Sequence, residues 1–338
     1  MRLEPRKRER LSVRSLSDRW RIGGLELANR VVLAPLAGIG NWFVRLQARR
    51  YGAGLVTSEM VSSFGIAYRN ERTMREFLRI HPDEHPVAMQ LFGHDPDVMR
   101  EAAAVVAEAG ADMIDINMGC PVRKVRKTGA GAALLADPER AVAIVSAACD
   151  GGALPVTVKL RPGDAPGDRA GVELAHRLVT EAGVAGIAFH PRHASQQHKG
   201  RPDYALAAEL VEALPVPVLL SGGLLSDERA LEAFARSGAA AVMLARGSLG
   251  DPWRFRRLLG AGGGEPSPGE VAAELAWVIE RAEEHYGRER AGRWLRKVYP
   301  WYTDRLELPK DLQTILISAP TTAVAKDVLS HFAAPLAA

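Results

Sequence analysis

Residues 87–117, VAMQLFGHDPDVMREAAAVVAEAGADMIDIN, contain a complete strand–helix–strand pattern. Two apolar runs, Val87–Leu91 and Met113–Asn117, flank a segment rich in Ala, Val and Glu. Asp95 followed by Pro96 is typical of the first residues of a helix. Continuous apolar strands joined by a helix predict neighbouring parallel strands, with the helix covering their outer face.

The same alternation recurs along the chain up to about residue 257. Eight apolar runs alternate with helical stretches: Val31–Pro35, Leu55–Glu59, Val87–Leu91, Met113–Asn117, Val156–Leu160, Gly186–His190, Pro217–Ser221 and Ala241–Ala245. Strands of this number and spacing predict a closed (β/α)8 TIM barrel. The alternative is an open doubly wound sheet, although no G-x-G-x-x-G segment follows the first run.

A different organisation follows the last of these runs. Residues 260–264 read GAGGG, which is typical of a flexible break. Ser267 and Glu270 then form a capping box, which predicts that a helix begins there. Two further helical stretches are predicted at about Arg290–Leu306 and Thr322–Phe332.

These patterns predict three parts of the chain. They are a basic N-terminal arm over residues 1–19, an α/β TIM barrel over residues 20–259 and a small C-terminal helical domain over residues 267–334. The arm is interpreted as a disordered solubilising tail, with an additional contact to a polyanionic partner as the alternative.

Composition excludes several classes of protein. The 338 residues carry a net charge of +4 and 47% of them are hydrophobic, which excludes a disordered chain. No apolar run reaches the length of a membrane span, and the N-terminus lacks the apolar core of a secretory signal. Cys120 and Cys149 are too few for a disulfide framework, and the histidines show no H-E-x-x-H spacing. We therefore expect a cytoplasmic monomer with free thiols and no bound metal.

Polar residues cluster where the predicted strands end, which is the face on which TIM barrels carry their active sites. Ser221, Gly222 and Gly223 would bring backbone N–H groups to an anion, and Arg246 would add positive charge. The alternative is a pair of ordinary glycine turns. Lys159, at the end of the fifth strand, needs an anionic or polar partner in the barrel mouth, unless its side chain snorkels to solvent.

A flavin would provide that lysine with a partner, because the ring edge becomes negative on reduction, and Gln90 could bond the same ring. Cys120 lies in a Gly-Cys-Pro turn after the fourth strand. A thiol is normally protonated at neutral pH, which suits a general acid, and a small apolar filler is the alternative. His190, His193 and His198 share one loop and are interpreted as either site residues or a solvated basic loop.

The chain resembles the tRNA-dihydrouridine synthases, most closely their bacterial B-type branch. The resemblance covers about residues 20–302, and its most specific segment is DINMGCP at residues 115–121. Further segments that carry it are residues 34–38 (APLAG), 52–55 (GAGL), 58–60 (SEM), 124–125 (KV), 129–135 (GAGAALL), 155–161 (PVTVKLR) and 246–253 (RGSLGDPW), together with His190 and Gly222.

The resemblance implies an FMN enzyme that reduces the C5=C6 bond of particular uridines in tRNA to 5,6-dihydrouridine, with electrons from NADPH. It implies that Cys120 is the catalytic acid that protonates C5 and that Asn117 faces the target base. The cofactor-binding residues carried over by position are Pro35, Leu36, Ala37, Gln90, Lys159, His190, Ser221, Gly222, Gly223, Ala245 and Arg246.

A uridine in a folded RNA must leave its stack to reach such a pocket, so basic residues are expected around it. The predicted tRNA contacts are Arg123, Lys124, Arg293, Arg296 and Lys297. Aromatic residues interleaved with the last three are predicted to stack on nucleotides, and they are Trp294, Tyr299, Trp301 and Tyr302. The alternative for this segment is an amphipathic helix with a solvated charged face.

Several positions depart from the family's pattern. Leu36 stands where the family usually has Met, and Ser221 where it has Asn. Residues 190–193 read HPRH in place of His-Gly-Arg-Thr, so the loop after the sixth strand is reshaped. Residues 297–302 read KVYPWY in place of Lys-His-x-x-Trp-Tyr, and the proline is expected to bend the segment.

Three hypotheses about function remain at this stage. The first is the tRNA-uridine reductase. The second is an FMN barrel reductase that acts on a free small molecule such as a pyrimidine and has no need of a basic helical domain. The third is a non-catalytic RNA-binding protein, which the intact Cys120 and Lys159 disfavour.

Overall fold

The computed structural model describes residues 14–262 and 264–332. The strands in chain order are β1 (Trp20–Ile22), β2 (Leu25–Leu27), β3 (Val31–Leu33), β4 (Leu55–Thr57), β5 (Val61–Ser62), β6 (Val87–Phe92), β7 (Met113–Asn117), β8 (Val156–Leu160), β9 (Gly186–Phe189), β10 (Val218–Ser221) and β11 (Ala241–Leu244). Most of the basic arm predicted over residues 1–19, and the last residues of the predicted helical domain, lie outside the described residues.

Eight of these strands form a closed parallel barrel. Its order is β3, β4, β6, β7, β8, β9, β10 and β11, and β11 pairs with β3 again. The pairing of β4 with both β3 and β6 completes the ring, while β5 only extends β6. The predicted TIM barrel is confirmed, and the open doubly wound sheet is wrong.

A short antiparallel hairpin of β1 and β2 lies before the barrel. Its Ile22 is fully buried and packs in one cluster with Val32, Leu55 and Ala241, which lie at or near the amino ends of their strands. The hairpin therefore covers the amino-terminal end of the barrel and leaves the carboxyl ends of the strands for the site.

Helices connect the strands on the outside, as the alternation predicts. They are α1 (Trp42–Arg50), α2 (Ser63–Ala67), α3 (Pro96–Glu108), α4 (Arg123–Arg126), α5 (Pro138–Gly152), α6 (Ala170–Glu181), α7 (Tyr204–Ala213), α8 (Asp227–Ser237) and α9 (Trp253–Leu258). The Asp95 carboxylate accepts hydrogen bonds from the N–H groups of Asp97 and Val98, so the expected N-cap of α3 is confirmed.

The C-terminal part is entirely helical in the described residues. Its helices are α10 (Pro268–Tyr286), α11 (Arg288–Leu295), α12 (Tyr299–Leu306), α13 (Lys310–Ile317) and α14 (Thr322–Ser330). The capping box of Ser267 and Glu270 opens α10, as predicted.

The helical stretch predicted at about Arg290–Leu306 consists of two helices, α11 and α12, and the break between them agrees with the bend expected from the proline. Pro300 lies in the first turn of α12, where its missing N–H costs no helical hydrogen bond. The proline therefore starts a new helix after a short turn of Arg296, Lys297 and Val298. Helix α13 carries no side-chain cap, and the sequence patterns did not predict it.

Helix α1 of the barrel and the helical part share one apolar cluster, which we call the shared core. Trp42 and Phe43 of α1 pack in the same cluster as Leu275, Ile279 and Trp294 of the helical part. Each aromatic side chain buried in this way removes a large apolar area from water, so the two parts stabilise each other.

A buried ion cluster adds to this junction. The Asp251 carboxylate lies 2.7 Å from Arg257, 3.1 Å from Arg254 and 3.0 Å from Arg305 of α12. Asp251 is 2% exposed, so these contacts are weakly screened by solvent.

No helix of the described residues is long and apolar enough to cross a membrane. In the same residues, no group of three or more His, Cys, Asp or Glu side chains is placed to hold a metal ion.

Candidate active site

A cavity of about 720 Å³ opens at the carboxyl ends of the barrel strands. This volume lies within the range of about 300 to 1,000 Å³ that is typical of small-molecule sites. All the side chains and glycines predicted to hold the cofactor line it: Pro35, Leu36, Ala37, Gln90, Lys159, His190, Ser221, Gly222, Gly223, Ala245 and Arg246. The fold therefore brings these residues together around one cavity. That they bind a cofactor stays a prediction.

The turn after β10 brings the backbone to the cavity wall. Gly222 has φ +98°, and a Cβ atom there would lie 2.3 Å from Cδ2 of His190. Gly223 has φ +79°, and its Cβ would lie 2.6 Å from Pro202. Only glycine fits either position. The N–H groups of both glycines donate to no acceptor within residues 14–262 and 264–332, so they are available to an anion.

Lys159 extends from β8 into this cavity. Its Nζ donates to the Ser221 hydroxyl at 3.2 Å, and that hydroxyl donates to the carbonyl of Phe189. Burial and the nearby Arg161 guanidinium lower the pKa of Lys159 from 10.5 to about 8. Lys159 is half-buried, and an ammonium in such a place with one neutral hydrogen-bond partner is poorly compensated, so a bound anion would stabilise it.

His190 lies beside the glycine turn and is 7% exposed. Burial and the surrounding cations Lys159 and Arg161 lower the pKa of His190 far below its ordinary value, so the ring is neutral at physiological pH. Its Nε2 lies 3.2 Å from the guanidinium of Arg192. Because a guanidinium only donates, Nε2 accepts, which assigns the ring proton to Nδ1.

The cavity has a strongly positive lining. Cationic side chains that line it are Arg123, Lys159, Arg161, Arg192 and Arg246, and no carboxylate in the described part of the chain lines it. Such a lining attracts and retains anionic ligands.

Arg161 and Arg192 are members of this lining that sequence reasoning did not assign to the site. Arg161 lies two residues after Lys159, and strand alternation is the signal that could have found it. The Arg161 guanidinium donates to the carbonyls of Gly119, Arg192, His193 and Gln197, so it ties the cysteine turn to the loop after β9.

A directional chain of hydrogen bonds runs along the cavity floor to the cysteine turn. The Asp115 carboxylate accepts from Thr157 at 2.7 Å and from Nε2 of Gln90 at 2.6 Å. The Gln90 oxygen accepts from Nδ2 of Asn117 at 2.9 Å. The Asn117 oxygen accepts from the backbone N–H of Cys120 at 3.0 Å. Each amide orientation is thereby fixed by its neighbour, beginning at a carboxylate that can only accept when ionised.

Asp115 itself is enclosed, with 2% of its surface exposed. Burial raises the pKa of Asp115 to about 6, and the hydrogen bonds from Gln90 and Thr157 oppose this change. Asn117 was predicted to face the target base. It lines the cavity, and its Nδ2 donates both to the Gln90 oxygen at 2.9 Å and, in a weak bond, to the Met60 sulfur at 3.8 Å.

The two cysteines have different surroundings. Cys120 lines the cavity on the turn that Asn117 holds. Cys149 lies on α5, where its thiol donates to the carbonyl of Ala182 at 3.5 Å. Only Cys120 of the two is in a position to meet a ligand in the cavity.

The residues predicted to contact tRNA do not form one group. Arg123 lines the cavity, and Lys124 is exposed next to it on α4. Arg293 and Lys297 line a separate cavity of about 330 Å³, which we call the lateral cavity. Arg296 is exposed on the same helical part.

The predicted stacking role is wrong for most of the interleaved aromatic residues. Tyr299 and Tyr302 are 0% and 2% exposed, and Trp294 is 8% exposed, so all three belong to the shared core. Their spacing is that of the buried face of an amphipathic segment. Trp301 remains partly exposed.

The family model for "Dihydrouridine synthase (Dus)" matches residues 32–333. The chain belongs to the dihydrouridine synthase family. Two curated members illustrate the similarity. A tRNA-dihydrouridine synthase B of Pasteurella multocida is 35% identical over 292 residues, which is 85% of this chain and 87% of that protein. The tRNA-dihydrouridine synthase B of Pseudomonas aeruginosa is 36% identical over 287 residues, or 83% and 86%.

Solved structures that resemble this member of the family share its fold. Morphinone reductase superposes with a TM-score of 0.55 at 18% identity, covering 78% of this chain and 94% of that chain. The old yellow enzyme homologue of Zymomonas mobilis gives a TM-score of 0.55 at 16% identity, covering 74% and 94%.

Proposed function

We propose that this protein is an FMN-dependent tRNA-dihydrouridine synthase, which reduces particular uridines in tRNA to 5,6-dihydrouridine with NADPH as electron donor. The observation that carries the proposal is Cys120, which lines a cationic cavity in a chain of the dihydrouridine synthase family; among residues 14–262 and 264–332, no carboxylate lines that cavity. A cytoplasmic, monomeric enzyme remains the prediction.

The residues of the cavity fit FMN. The free N–H groups of Gly222 and Gly223, with the Arg246 guanidinium, would hold the phosphate. Lys159, Gln90 and the Nδ1–H of His190 would face the ring system. When bound, FMN supplies the hydride for the reduction of the substrate double bond.

Cys120 would supply the proton. Hydride addition at C6 of uracil builds negative charge at C5 and the adjacent carbonyl, so an acid is needed at C5. The hydrogen bond from its N–H to Asn117 holds the Cys120 turn against the strand ends. The turn is thus held by β7, and it is further held by the N–H of Ala132, which donates to the Cys120 carbonyl at 3.0 Å.

The RNA substrate would approach the positive mouth of the cavity. Arg123 and Lys124 stand at this rim on or beside α4. The target uridine would have to leave its stack to enter, which costs a few kcal/mol. Phosphate contacts from exposed arginines and lysines would offset this cost.

The first experiment asks for the cofactor and the product. We expect the purified protein to show a flavin spectrum, or to acquire one with FMN, and to form dihydrouridine in unmodified tRNA with NADPH, as mapped by mass spectrometry. Failure to take up flavin would refute the proposal. Turnover of free pyrimidines without dihydrouridine in tRNA would favour the small-molecule reductase instead.

Substitution of the cysteine tests the proposed acid. In Cys120→Ala we expect flavin binding to persist and the rate of dihydrouridine formation to fall by about 10²- to 10⁴-fold, the usual contribution of a general acid. Cys149→Ala is the matched control, since that thiol lies outside the cavity. Equal single-turnover rates in the two variants would contradict the role of Cys120.

A further inference from the structure

The lateral cavity lies between the barrel and the helical part and adjoins the active-site cavity. Gly38 and Glu59 face the lateral cavity, while Ala37, Ile39 and Met60 face the active-site cavity. Residues 37–39 and 59–60 thus form the wall between the two cavities, with adjacent residues facing opposite sides of it. One strand of a polymer could therefore enter both cavities at once.

Glu59 presents a buried carboxylate to this cavity. It is 8% exposed, and its Oε2 accepts from the N–H of Gly38 at 2.7 Å. Its Oε1 has no hydrogen-bond partner within the described ranges, and no cation lies within ion-pair distance of the carboxylate there. Burial raises the pKa of Glu59, and the hydrogen bond from Gly38 and the charges of Arg45, Lys297 and Arg72 oppose the change. A carboxylate offers about four acceptor positions, so most of its capacity is unused.

The rim of the lateral cavity is lined by cationic side chains. Lys297 donates to the carbonyl of Gly38 at 2.8 Å and remains exposed. Arg293 and Arg72 have side chains that are 63% and 64% exposed. Their acidic partners differ: Arg293 meets the exposed Glu289, whereas Arg72 meets Glu76, which also binds Arg290. The cavity therefore combines a buried acceptor with a positively charged rim.

These two features match the two ends of a nucleotide. Phosphate groups suit the exposed cations, as at other RNA-binding surfaces. A base reaches a buried carboxylate only if it presents N–H donors. Guanine presents two adjacent donors on its Watson–Crick edge, N1–H and the N2 amine, and so fits the acceptor pair of a carboxylate better than bases with a single amine.

We propose that the lateral cavity binds a guanine nucleotide of the RNA substrate, separate from the uridine that is reduced, with Glu59 accepting from the base and Arg72, Arg293 and Lys297 contacting its phosphates. The inference rests on the proposed function, since it takes the RNA as the shared ligand of both cavities. It makes Glu59 a determinant of which uridine enters the active site.

The test replaces each guanosine of a substrate tRNA transcript in turn by inosine, which lacks the N2 amine. Binding to the FMN-loaded wild-type protein is measured by fluorescence anisotropy, separately from dihydrouridine formation. We expect one position at which inosine weakens binding by about tenfold, the usual effect of a lost hydrogen bond to a charged group. This arm needs no protein variant.

The second arm is Glu59→Gln, with Glu71→Gln as control because the Glu71 side chain is 87% exposed on the surface. We expect Glu59→Gln to weaken binding of the unsubstituted tRNA, which contains no inosine, by about tenfold. The same variant should abolish the inosine effect at that one position. Glu71→Gln should retain both the affinity and the inosine effect.

The outcomes separate the two proposals. If the tRNA is reduced but no inosine position affects binding, or if the inosine effect survives in Glu59→Gln, the lateral subsite is refuted and the proposed function stands. If an inosine effect depends on Glu59 but no dihydrouridine forms, the subsite stands and the proposed function is refuted. If no tRNA is bound or reduced, both are refuted.

Discussion

Lys159 allows the cofactor proposal to be tested through pH alone. In the free protein, burial and Arg161 lower the pKa of Lys159 from 10.5 to about 8. An anionic group bound next to the ammonium would favour the charged form and raise that pKa again. Binding of FMN would therefore be coupled to protonation of Lys159, and the coupling is reciprocal.

The direction and the size of the pH effect on FMN affinity follow from the ordinary pKa of 10.5 and the lowered pKa of about 8. Below about pH 8 the ammonium is already charged in the free protein, so FMN affinity is expected to be independent of pH. Above it the free protein loses the proton, and affinity should fall by up to about tenfold per pH unit. The interval from about 8 to 10.5 bounds the whole effect at roughly 300-fold.

The assay is fluorescence titration of the apoprotein with FMN from about pH 7 to about pH 9.5. In Lys159→Met, affinity at neutral pH should be at least about tenfold lower, and the slope above pH 8 should disappear. Lys310→Met, at the exposed start of α13, is the control that should retain the slope. A flat profile in the wild type, or the same slope in Lys159→Met, would refute the coupling.

Two further predictions concern the backbone cradle and the RNA surface. Gly222→Ala should cost about 1–3 kcal/mol of stability and abolish FMN binding, because its Cβ would lie 2.3 Å from His190, as measured by thermal melts with and without FMN. Gly110→Ala, at φ +93° with open space around it, should be strained but keep FMN, and equal FMN loss in both would argue against the cradle. Charge reversal of Arg293 and Arg296 should weaken tRNA binding and reduce its salt slope by about 2. Reversal of Arg236, a surface arginine paired with Glu232, should change neither, and an unchanged slope in the double variant would exclude this surface from RNA binding.

The barrel was predictable because its strands are short, apolar and separated by well-signalled helices. The runs Met113–Asn117 and Val156–Leu160 coincide with β7 and β8. The N-terminal hairpin was not predicted, although the Gly23–Gly24 pair between Ile22 and Leu25 is a turn signal. Its strands have three residues each, too few for alternation to be recognised.

The helical part shows where sequence patterns fail. Polar and aromatic residues alternate at residues 293–302, which fits both an RNA surface and a buried helix face. Whether these aromatic side chains are exposed or buried depends on α1, which lies more than two hundred residues earlier in the chain. Helix α1 packs against them and buries them. The lateral cavity was missed for the same reason, since Glu59 and Arg293 approach only after α1 and the helical part have packed together.

The shared core of α1 and the helical part has a consequence for how such enzymes can be recombined. A barrel cut at the glycine-rich segment 260–264 would expose Trp42 and Phe43, and an apolar patch of that kind promotes aggregation. If the C-terminal parts of two relatives were exchanged at that segment, α1 of one protein would pack against the helical part of another. The side chains of those two faces would not be matched in shape. The unit that can be transplanted therefore includes α1, and a chimera that carries it along should remain soluble where a simple exchange at the glycines does not.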